Sequence, residues 1–197
     1  MRGFVFALTL SAAALALLGM AAALLLDSSE RRERRFFNNV DKWIRAGAYE
    51  TAEIAIVERY SDEAGRPAEA WLRMGICRSM REDFAAAERL FDFGLDADPD
   101  DARLLYNRAL LYARMGRAAD AERELLRVKH LAPYFPEVYY HLGRLAEERG
   151  DAQRARQLYV EELNLNPASQ SAWKRHFLLS EGRASAPESK EEKDGSP

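Results

Sequence analysis

Three histidines and a single cysteine are the side chains with the strongest catalytic or metal-binding potential in this chain of 197 residues. His130, His141 and His176 are well separated, and no HExxH motif, nucleophile elbow, phosphate-binding loop or Cys–His signature accompanies them. Cys77 has no second cysteine for an internal disulfide, and no Cys/His cluster could hold zinc. These residues predict no catalytic centre, no metal site and no cofactor.

Paired carboxylates are the remaining candidates for acid–base chemistry. Two such pairs in the repeat region are Glu147-Glu148 and Glu161-Glu162. Neighbouring side chains on a helix diverge, so neither pair converges on a substrate. We therefore expect solvated helix faces here, and a protein that is not an enzyme.

Bulk composition narrows the possible partners. The formal net charge is −3 and the pI about 5.8, so no global basic character indicates nucleic acid binding. Charged residues form 31% of the chain, too many for a polytopic membrane protein. The length suits one domain with short appendages, and the alanine- and arginine-rich composition is typical of a bacterial protein.

Equivalent residues recur every 34 positions between residues 68 and 168. The markers of the first copy are Trp71, Met74, Gly75, Phe84, Ala87, Phe91, Gly94 and Pro99. Those of the second are Leu105, Ala109, Tyr112, Gly116, Ala118, Ala121, Leu125 and Pro133. Those of the third are Tyr139, Leu142, Gly143, Gly150, Ala152, Ala155, Tyr159 and Pro167. A fixed period of this length indicates stacked helical hairpins.

This spacing resembles the tetratricopeptide repeat (TPR), a hairpin of two helices, A and B. The resemblance implies an all-α protein, a right-handed α-solenoid of TPR hairpins, with repeats at 68–101, 102–135 and 136–168. Small residues such as Gly143 would let paired helices approach, and each proline would end a helix B. A bulky substitution of Gly143 should overpack the hairpin.

Three further segments flank the regular repeats. Residues 33–66 fit the same frame as a degenerate leading repeat, as terminal repeats of solenoids commonly do. Residues 169–181 predict a capping helix that covers the last repeat with Trp173, Phe177 and Leu178, while Lys174 and Arg175 face water. Residues 182–197 lack aromatic and β-branched residues, which predicts a disordered tail.

An uncharged apolar run covers residues 3–26 and would form a helix of roughly 36 Å, enough to span a hydrocarbon core of about 30 Å. It predicts one N-terminal transmembrane helix, with segment 1–26 as the anchor. A cleaved signal peptide is the alternative, but the leucines beyond the small-residue site favour the anchor. Small residues share one face of this helix and could support homo-oligomerisation: Ala12, Ala16, Gly19 and Ala23.

A polar hinge, residues 27–35, follows the apolar run and carries an arginine cluster. The membrane-flanking residues are Arg31, Arg32, Arg34 and Arg35. The positive-inside rule then places the repeats in the cytoplasm. Because short N-terminal anchors often leave the large domain across the membrane, a periplasmic location is the alternative.

The resemblance implies that the A helices line a concave groove. Its predicted partner-binding residues are Phe37, Leu72, Ile76, Met80, Tyr106, Leu110, Arg114, Tyr140 and Arg144. An apolar and aromatic strip with charged flanks suits an extended segment or a helix of another protein. The chaperone-binding carboxylate clamp of some family members is incomplete here, because Leu72, Ile76 and His141 replace its polar residues.

Two arginines occupy positions where the family has apolar residues. Arg78 stands at a usual tyrosine and Arg108 at a usual leucine. We expect them to pair with acidic residues on adjacent helices, although a ligand carboxylate is an alternative partner.

These features predict a membrane-tethered scaffold, adaptor or assembly factor that binds a partner segment in its groove. A permanent subunit of a membrane complex and an exported protein of envelope assembly are the alternatives.

Overall fold

A computed structural model describes residues 28–182. Within this range the chain consists of α-helices joined by short turns, and no β-strand occurs there. Contacts divide the chain into two units, residues 1–61 and 62–197.

The first unit contains helix α1, residues 28–45, and helix α2, Tyr49–Arg59. The predicted hinge at 27–35 is therefore helical from residue 28 onward, and its flanking arginines lie exposed on α1. Glu33 of α1 accepts hydrogen bonds from Arg59, at 2.7 Å, and from the Tyr60 hydroxyl. These bonds join the two helices into a hairpin.

The second unit contains three helical hairpins and a final helix. Their bounds are α3 Ala68–Met80, α4 Phe84–Ala97, α5 Ala102–Arg114, α6 Ala118–Leu131, α7 Val138–Glu148, α8 Ala152–Leu165 and α9 Gln170–Ser180. The first helix of each hairpin, and α9, are called A helices, and the second helices are called B helices. Each 34-residue frame of the sequence holds one such pair.

Helix ends follow from local chemistry. The side chains of Asp83, Asp101 and Asp151 accept hydrogen bonds from backbone N–H groups of the helices that follow. Each B helix ends two residues before its proline, and Asp98 adopts the extended backbone that a following proline favours.

Close helix approach explains the glycines of the A helices. A Cβ atom built on Gly75 would lie 2.4 Å from the ring of Phe91, and one on Gly143 would lie 2.6 Å from the ring of Tyr159. Both rings are buried. Only glycine therefore fits at these two positions without displacing the facing B helix.

One hydrophobic core runs through the second unit, from Leu72 to Leu179. Leu104, Leu105, Leu111 and Leu125 are among its fully buried members. Burial of leucine side chains contributes about 1.5–3 kcal/mol each, so the stacked hairpins stabilise one another.

The mostly buried guanidinium of Arg108 forms ion pairs with both adjacent helices. Arg108 on α5 donates to Asp92 on α4 at 2.6 Å and to Glu124 on α6 at 2.8 Å. The pairing expected of Arg108 is therefore present, whereas Arg78 pairs with Asp83 at 3.5 Å on its own hairpin.

The expectation that both glutamate pairs are solvated is wrong for one member of each pair. Glu162 is only 1% exposed, and Glu147 of α7, which contacts both α8 and α9, has a side chain that is 8% exposed. Glu147 accepts hydrogen bonds from the hydroxyl of Tyr159, at 2.8 Å, and from the guanidinium of Arg175.

The final helix α9 turns a different face inward than its sequence suggests. Ala172, Leu179 and the side chain of Arg175 are buried, while Trp173 and Phe177 are 55% and 57% exposed. The prediction that Trp173 and Phe177 cover the last repeat is therefore wrong. Helix α9 packs with the same face as α5, since Ala172 and Leu179 stand at the repeat positions of the buried Leu104 and Leu111. Arg175 adds an ion pair with Glu147 of α7.

None of the helices in residues 28–182 combines the length and apolar character that crossing a bilayer requires. The predicted anchor at 3–26 and the predicted tail beyond 182 lie outside the described residues.

Candidate functional site

The A helices of the second unit present most of the residues predicted to bind a partner. We call this surface the helix A strip; its members are Ile76, Met80, Tyr106, Leu110, Arg114, Tyr140 and Arg144. Met80 is 51% exposed, and the other apolar members are partly buried. The strip thus combines accessible apolar surface with two guanidinium groups.

Two predicted contact residues are not part of this surface. Leu72 is 6% exposed and belongs to the hydrophobic core. Phe37 is 5% exposed and stacks on Tyr60 within the first unit. Their prediction as groove residues is wrong because both side chains are used in packing.

Tyr106 lies at the centre of the strip. Its hydroxyl donates a hydrogen bond of 3.2 Å to Glu137, which precedes α7. Its ring packs against Phe135 and His141, with centroids 5.0 and 5.7 Å away. Burial and the nearby charge of Glu137 raise the pKa of Tyr106, so the hydroxyl stays protonated and remains a donor.

His141 contributes a neutral imidazole to the same cluster. Burial lowers its pKa to about 4, and the positive charge of Arg144 adds to this effect against the opposing carboxylate of Glu137. Its ring also meets Tyr140 edge to face, at 5.1 Å between centroids. At neutral pH the cluster is therefore an aromatic platform rather than a cationic one.

The N-terminus of α7 lies near a buried carboxylate of the next helix. Glu137 has a left-handed backbone, with φ of 64°, and its own side chain makes no cap. Glu162 of α8 is 1% exposed, and burial raises its pKa, while the backbone N–H groups of Tyr140 and Glu137 act in the opposite direction. Its Oε1 atom is buried without a hydrogen-bond partner among the described residues.

A cavity of about 220 Å³ opens between α5 and α7 beside the aromatic cluster. Its lining is Ala109, Leu110, Ala113, Arg114, Leu125, His141, Arg144, Leu145 and Glu148. Since one water molecule takes up ~30 Å³ of liquid, this space can accept one side chain of a partner.

The two arginines at this cavity are held by different contacts. Arg114 donates to the Ser79 carbonyl at 2.7 Å and lies over the ring of Phe84. Arg144 lies 3.6 Å from Glu148, and its Nε atom is buried without a hydrogen-bond partner. The cavity therefore has an apolar wall and a rim with two guanidinium groups and one carboxylate, that of Glu148.

Polar bridges fix α3 relative to α5 along the strip. At one end Arg103 of α5 contacts Glu69 of α3 at 2.7 Å. At the other end Arg114 bonds Ser79 of α3. The strip is consequently a preformed surface, which lowers the ordering cost of binding.

A second cavity, of about 540 Å³, lies on the outer face of α6 beside Asp100, and the sequence does not predict it. It is lined by Asp100, Ala119, Glu122, Arg123, Leu126, Arg127, His130 and Leu131. Leu126 and Leu131 are 48% and 40% exposed. The sequence does contain apolar residues at these positions of α6. Their spacing is equally typical of a helix face that packs into the core, so it does not by itself predict a cavity.

In the part of the chain that the structure describes, no cluster of three His, Cys, Asp or Glu side chains could hold a metal ion.

Solved structures with the same fold include several tetratricopeptide repeat proteins. A crystal structure of MamA is 19% identical over 73% of this chain and 84% of its own, with a TM-score of 0.62. PilF of Pseudomonas aeruginosa is 19% identical over 75% of this chain and 68% of its own, with a TM-score of 0.68.

The first TPR of Spaghetti (RPAP3), bound to the HSP90 peptide SRMEEVD, is 24% identical over 60% of this chain and 94% of its own, with a TM-score of 0.56. No family model and no curated protein matches the sequence. At these identities the likeness shows the fold: residues 28–182 form tetratricopeptide-type helical hairpins.

Proposed function

We propose that this protein is an interaction scaffold that binds a segment of another protein along the helix A strip. The carrying observation is the cavity between α5 and α7, where apolar walls and two arginines adjoin the platform of Tyr106 and Tyr140. Solved structures of the same fold include one bound to a peptide, which supports this kind of ligand.

The chemistry of the strip specifies how such a segment would bind. An apolar side chain fills the cavity against Leu110 and Leu145, and the exposed Met80 adapts its shape to a neighbouring residue. Arg114 and Arg144 contact carboxylate or carbonyl oxygens at the rim. Aromatic and arginine side chains dominate the binding energy of many interfaces, so this cluster would act as the anchor.

We further propose that residues 3–26 tether the scaffold to a membrane, with the repeats in the cytoplasm. Tethering would raise the local concentration of a membrane-bound partner and so strengthen weak binding. A reporter active only in the cytoplasm, fused after Pro197, should be active; activity of an export-dependent reporter instead would contradict this orientation.

Partner binding can be tested with peptides selected from a random displayed library on the purified full chain. The variant Met80→Ser/Leu110→Ser/Tyr140→Ser should weaken the selected peptides at least tenfold, about 1.4 kcal/mol, in fluorescence anisotropy. The three side chains provide the accessible apolar contacts.

A matched control removes apolar surface from the B helices. Leu126 and Val160 are 48% and 41% exposed. The variant Leu126→Ser/Val160→Ser therefore replaces exposed apolar side chains by serine, as the strip variant does, but leaves the strip unchanged. We expect affinities within twofold of wild type. Equal affinity of the strip variant, with unchanged helicity, would exclude the strip as the binding surface.

A further inference from the structure

One side of α1 carries basic and amide side chains without a carboxylate among them. We call it the α1 basic face; its members are Arg32, Arg34, Arg35, Asn38, Lys42 and Arg45. With 3.6 residues per turn these side chains fall within an arc of about 160°, and no aspartate or glutamate of α1 lies in that arc. All of them are exposed. The face extends about 20 Å along the helix.

The opposite side of α1 is used in packing the first unit. Phe37 and Val40 are 5% and 0% exposed. The ring of Phe37 stacks on that of Tyr60, with centroids 6.1 Å apart. Glu33 lies on this side too, and its carboxylate is bonded to Arg59 and to the Tyr60 hydroxyl. The hairpin therefore fixes which side of α1 is packed and leaves the basic face accessible.

The four arginines and the lysine of this face have no acidic partner within residues 28–182. Their side chains make no hydrogen bond or ion pair in that range. Arg31 falls in the same arc but makes another contact, so it is not counted among them. In the second unit, by contrast, Arg103, Arg108 and Arg117 each contact two carboxylates. The positive charge of the α1 basic face is thus not neutralised by the described part of the chain.

We propose that the α1 basic face lies on an anionic lipid surface, with its cationic groups at the level of the phosphate headgroups. This inference rests on the proposed membrane tether at residues 3–26. The face begins six residues after that uncharged run, so a tethered chain brings it to the membrane surface. Asp27, Ser28 and Ser29 separate the two segments and are residue types that favour the start of a new helix. Basic residues at this place in a chain are attracted by anionic headgroups.

The side chains of the face favour a lipid surface over nucleic acid. The net charge of the chain is −3, and bound bases commonly stack on exposed aromatic rings. The aromatic residues of α1 are Phe36, Phe37 and Trp43, which are buried or half-buried and lie outside the arc. The face also has no apolar side chain to insert among acyl chains. Its contact with lipid is therefore electrostatic and must weaken with salt.

Fluorescence quenching on the full chain in lipid vesicles tests this contact. Asn38→Cys, in the middle of the face, receives a thiol-reactive fluorophore, while the native Cys77 is 0% exposed. Vesicles of phosphatidylcholine, alone or with an equal part of phosphatidylglycerol, carry a headgroup spin label as quencher. We expect strong quenching only with phosphatidylglycerol. It should be lost between about 0.1 M and 1 M salt, because the Debye length falls from about 10 Å to about 3 Å. Thr51→Cys, exposed on α2, is the matched control and should not be quenched.

Charge removal tests whether the basic side chains make this contact. Each basic residue near an anionic surface changes the binding constant by roughly fivefold, so Lys42→Gln/Arg45→Gln should weaken the surface contact about 25-fold. Quenching at position 38 should then fall to the level in phosphatidylcholine alone. Arg154→Gln/Arg156→Gln removes the same charge from exposed arginines of α8 and should leave the quenching unchanged. Quenching that persists in the first variant, or is lost equally in both, would overturn the proposal.

Vesicle flotation separates a failure of this inference from a failure of the tether. Flotation of the full chain with phosphatidylcholine vesicles depends on the tether alone. A chain that does not float with them refutes the tether. Salt-sensitive flotation with phosphatidylglycerol vesicles that is lost in Lys42→Gln/Arg45→Gln would then still support the α1 basic face as a lipid-binding surface. Binding of duplex DNA or RNA in fluorescence anisotropy, without quenching at position 38 by anionic lipid, would assign the face to nucleic acid and contradict the inference.

Discussion

Removal of the Arg175 side chain tests how α9 is attached to the rest of the unit. Its guanidinium donates through both Nε and a terminal nitrogen to Glu147, whose second donor is the Tyr159 hydroxyl. Arg175 and Glu147 side chains are only 12% and 8% exposed. Although burial opposes the charge, the hydrogen bonds to Glu147 raise the pKa of Arg175.

Arg175→Met keeps the apolar stem but leaves the carboxylate of Glu147 buried without a cation. Breaking a buried pair in this way costs about 3–5 kcal/mol. For a chain of this size the melting temperature should fall by about 6–20 °C. Because repeats contact only their neighbours, the loss should be largest in amide exchange of α7 to α9.

The double variant Glu147→Gln/Arg175→Met removes the buried charge as well as its partner. Tyr159 can still donate to the glutamine carbonyl, so we expect the double variant to regain most of the lost stability in urea denaturation. A single variant within 1 kcal/mol of wild type, or a double variant no more stable than the single one, would refute the role assigned to this ion pair.

Three further variants test individual features of the fold. Gly143→Val should cost about 1–3 kcal/mol, since its Cβ would meet the fixed ring of Tyr159; an unchanged melting temperature would contradict this packing. Glu82→Gly should stabilise by about 1 kcal/mol, because Glu82 has a φ of 64° where Gly116 stands in the next repeat; a loss of stability in urea would oppose it. His141 has a folded pKa of about 4 and an unfolded value of about 6.5, so unfolding free energy should fall by roughly 3 kcal/mol as pH drops through that range. His141→Phe should remove this part of the pH dependence, measured by urea denaturation at pH 7 and pH 4.5.

The helical frame of the second unit could be predicted from the sequence because its signals are local. Gly75 and Gly143 permit close approach of facing helices, and the prolines restrict the backbone of the residue before them. Arg108 could be expected to have acidic partners because a buried guanidinium requires them. Each of these arguments needs only one residue and its repeat position.

Features that depend on several helices at once could not be predicted in this way. Trp173 and Phe177 are exposed because no helix among the described residues covers that face of α9. Glu147 looks like part of a solvated face in the sequence, but Tyr159 and Arg175 from two other helices bury it. Glu162 is 1% exposed although it is charged and adjacent to Glu161, and nothing in its local sequence indicates that burial. Leu72 was assigned to the groove by repeat position, but packing in the core decides its exposure.

The candidate site was predictable in its chemistry and less so in its extent. Tyr106, Leu110, Tyr140 and Arg144 do lie near one another, around His141 and the cavity between α5 and α7. The left-handed Glu137 that receives the hydrogen bond of Tyr106 had no signal in the sequence, because glutamate seldom adopts that backbone.

Site-specific photo-cross-linking in living cells tests the central claim most directly. A photoreactive phenylalanine analogue would replace Leu110 in the strip or, as the matched control, Leu126 on the outer face of α6. The account predicts a discrete adduct with another protein from position 110 that is absent at position 126 and is lost when Met80→Ser and Tyr140→Ser are added. Adducts from position 126 alone, or adducts from position 110 that persist in those variants, would contradict binding in the helix A strip.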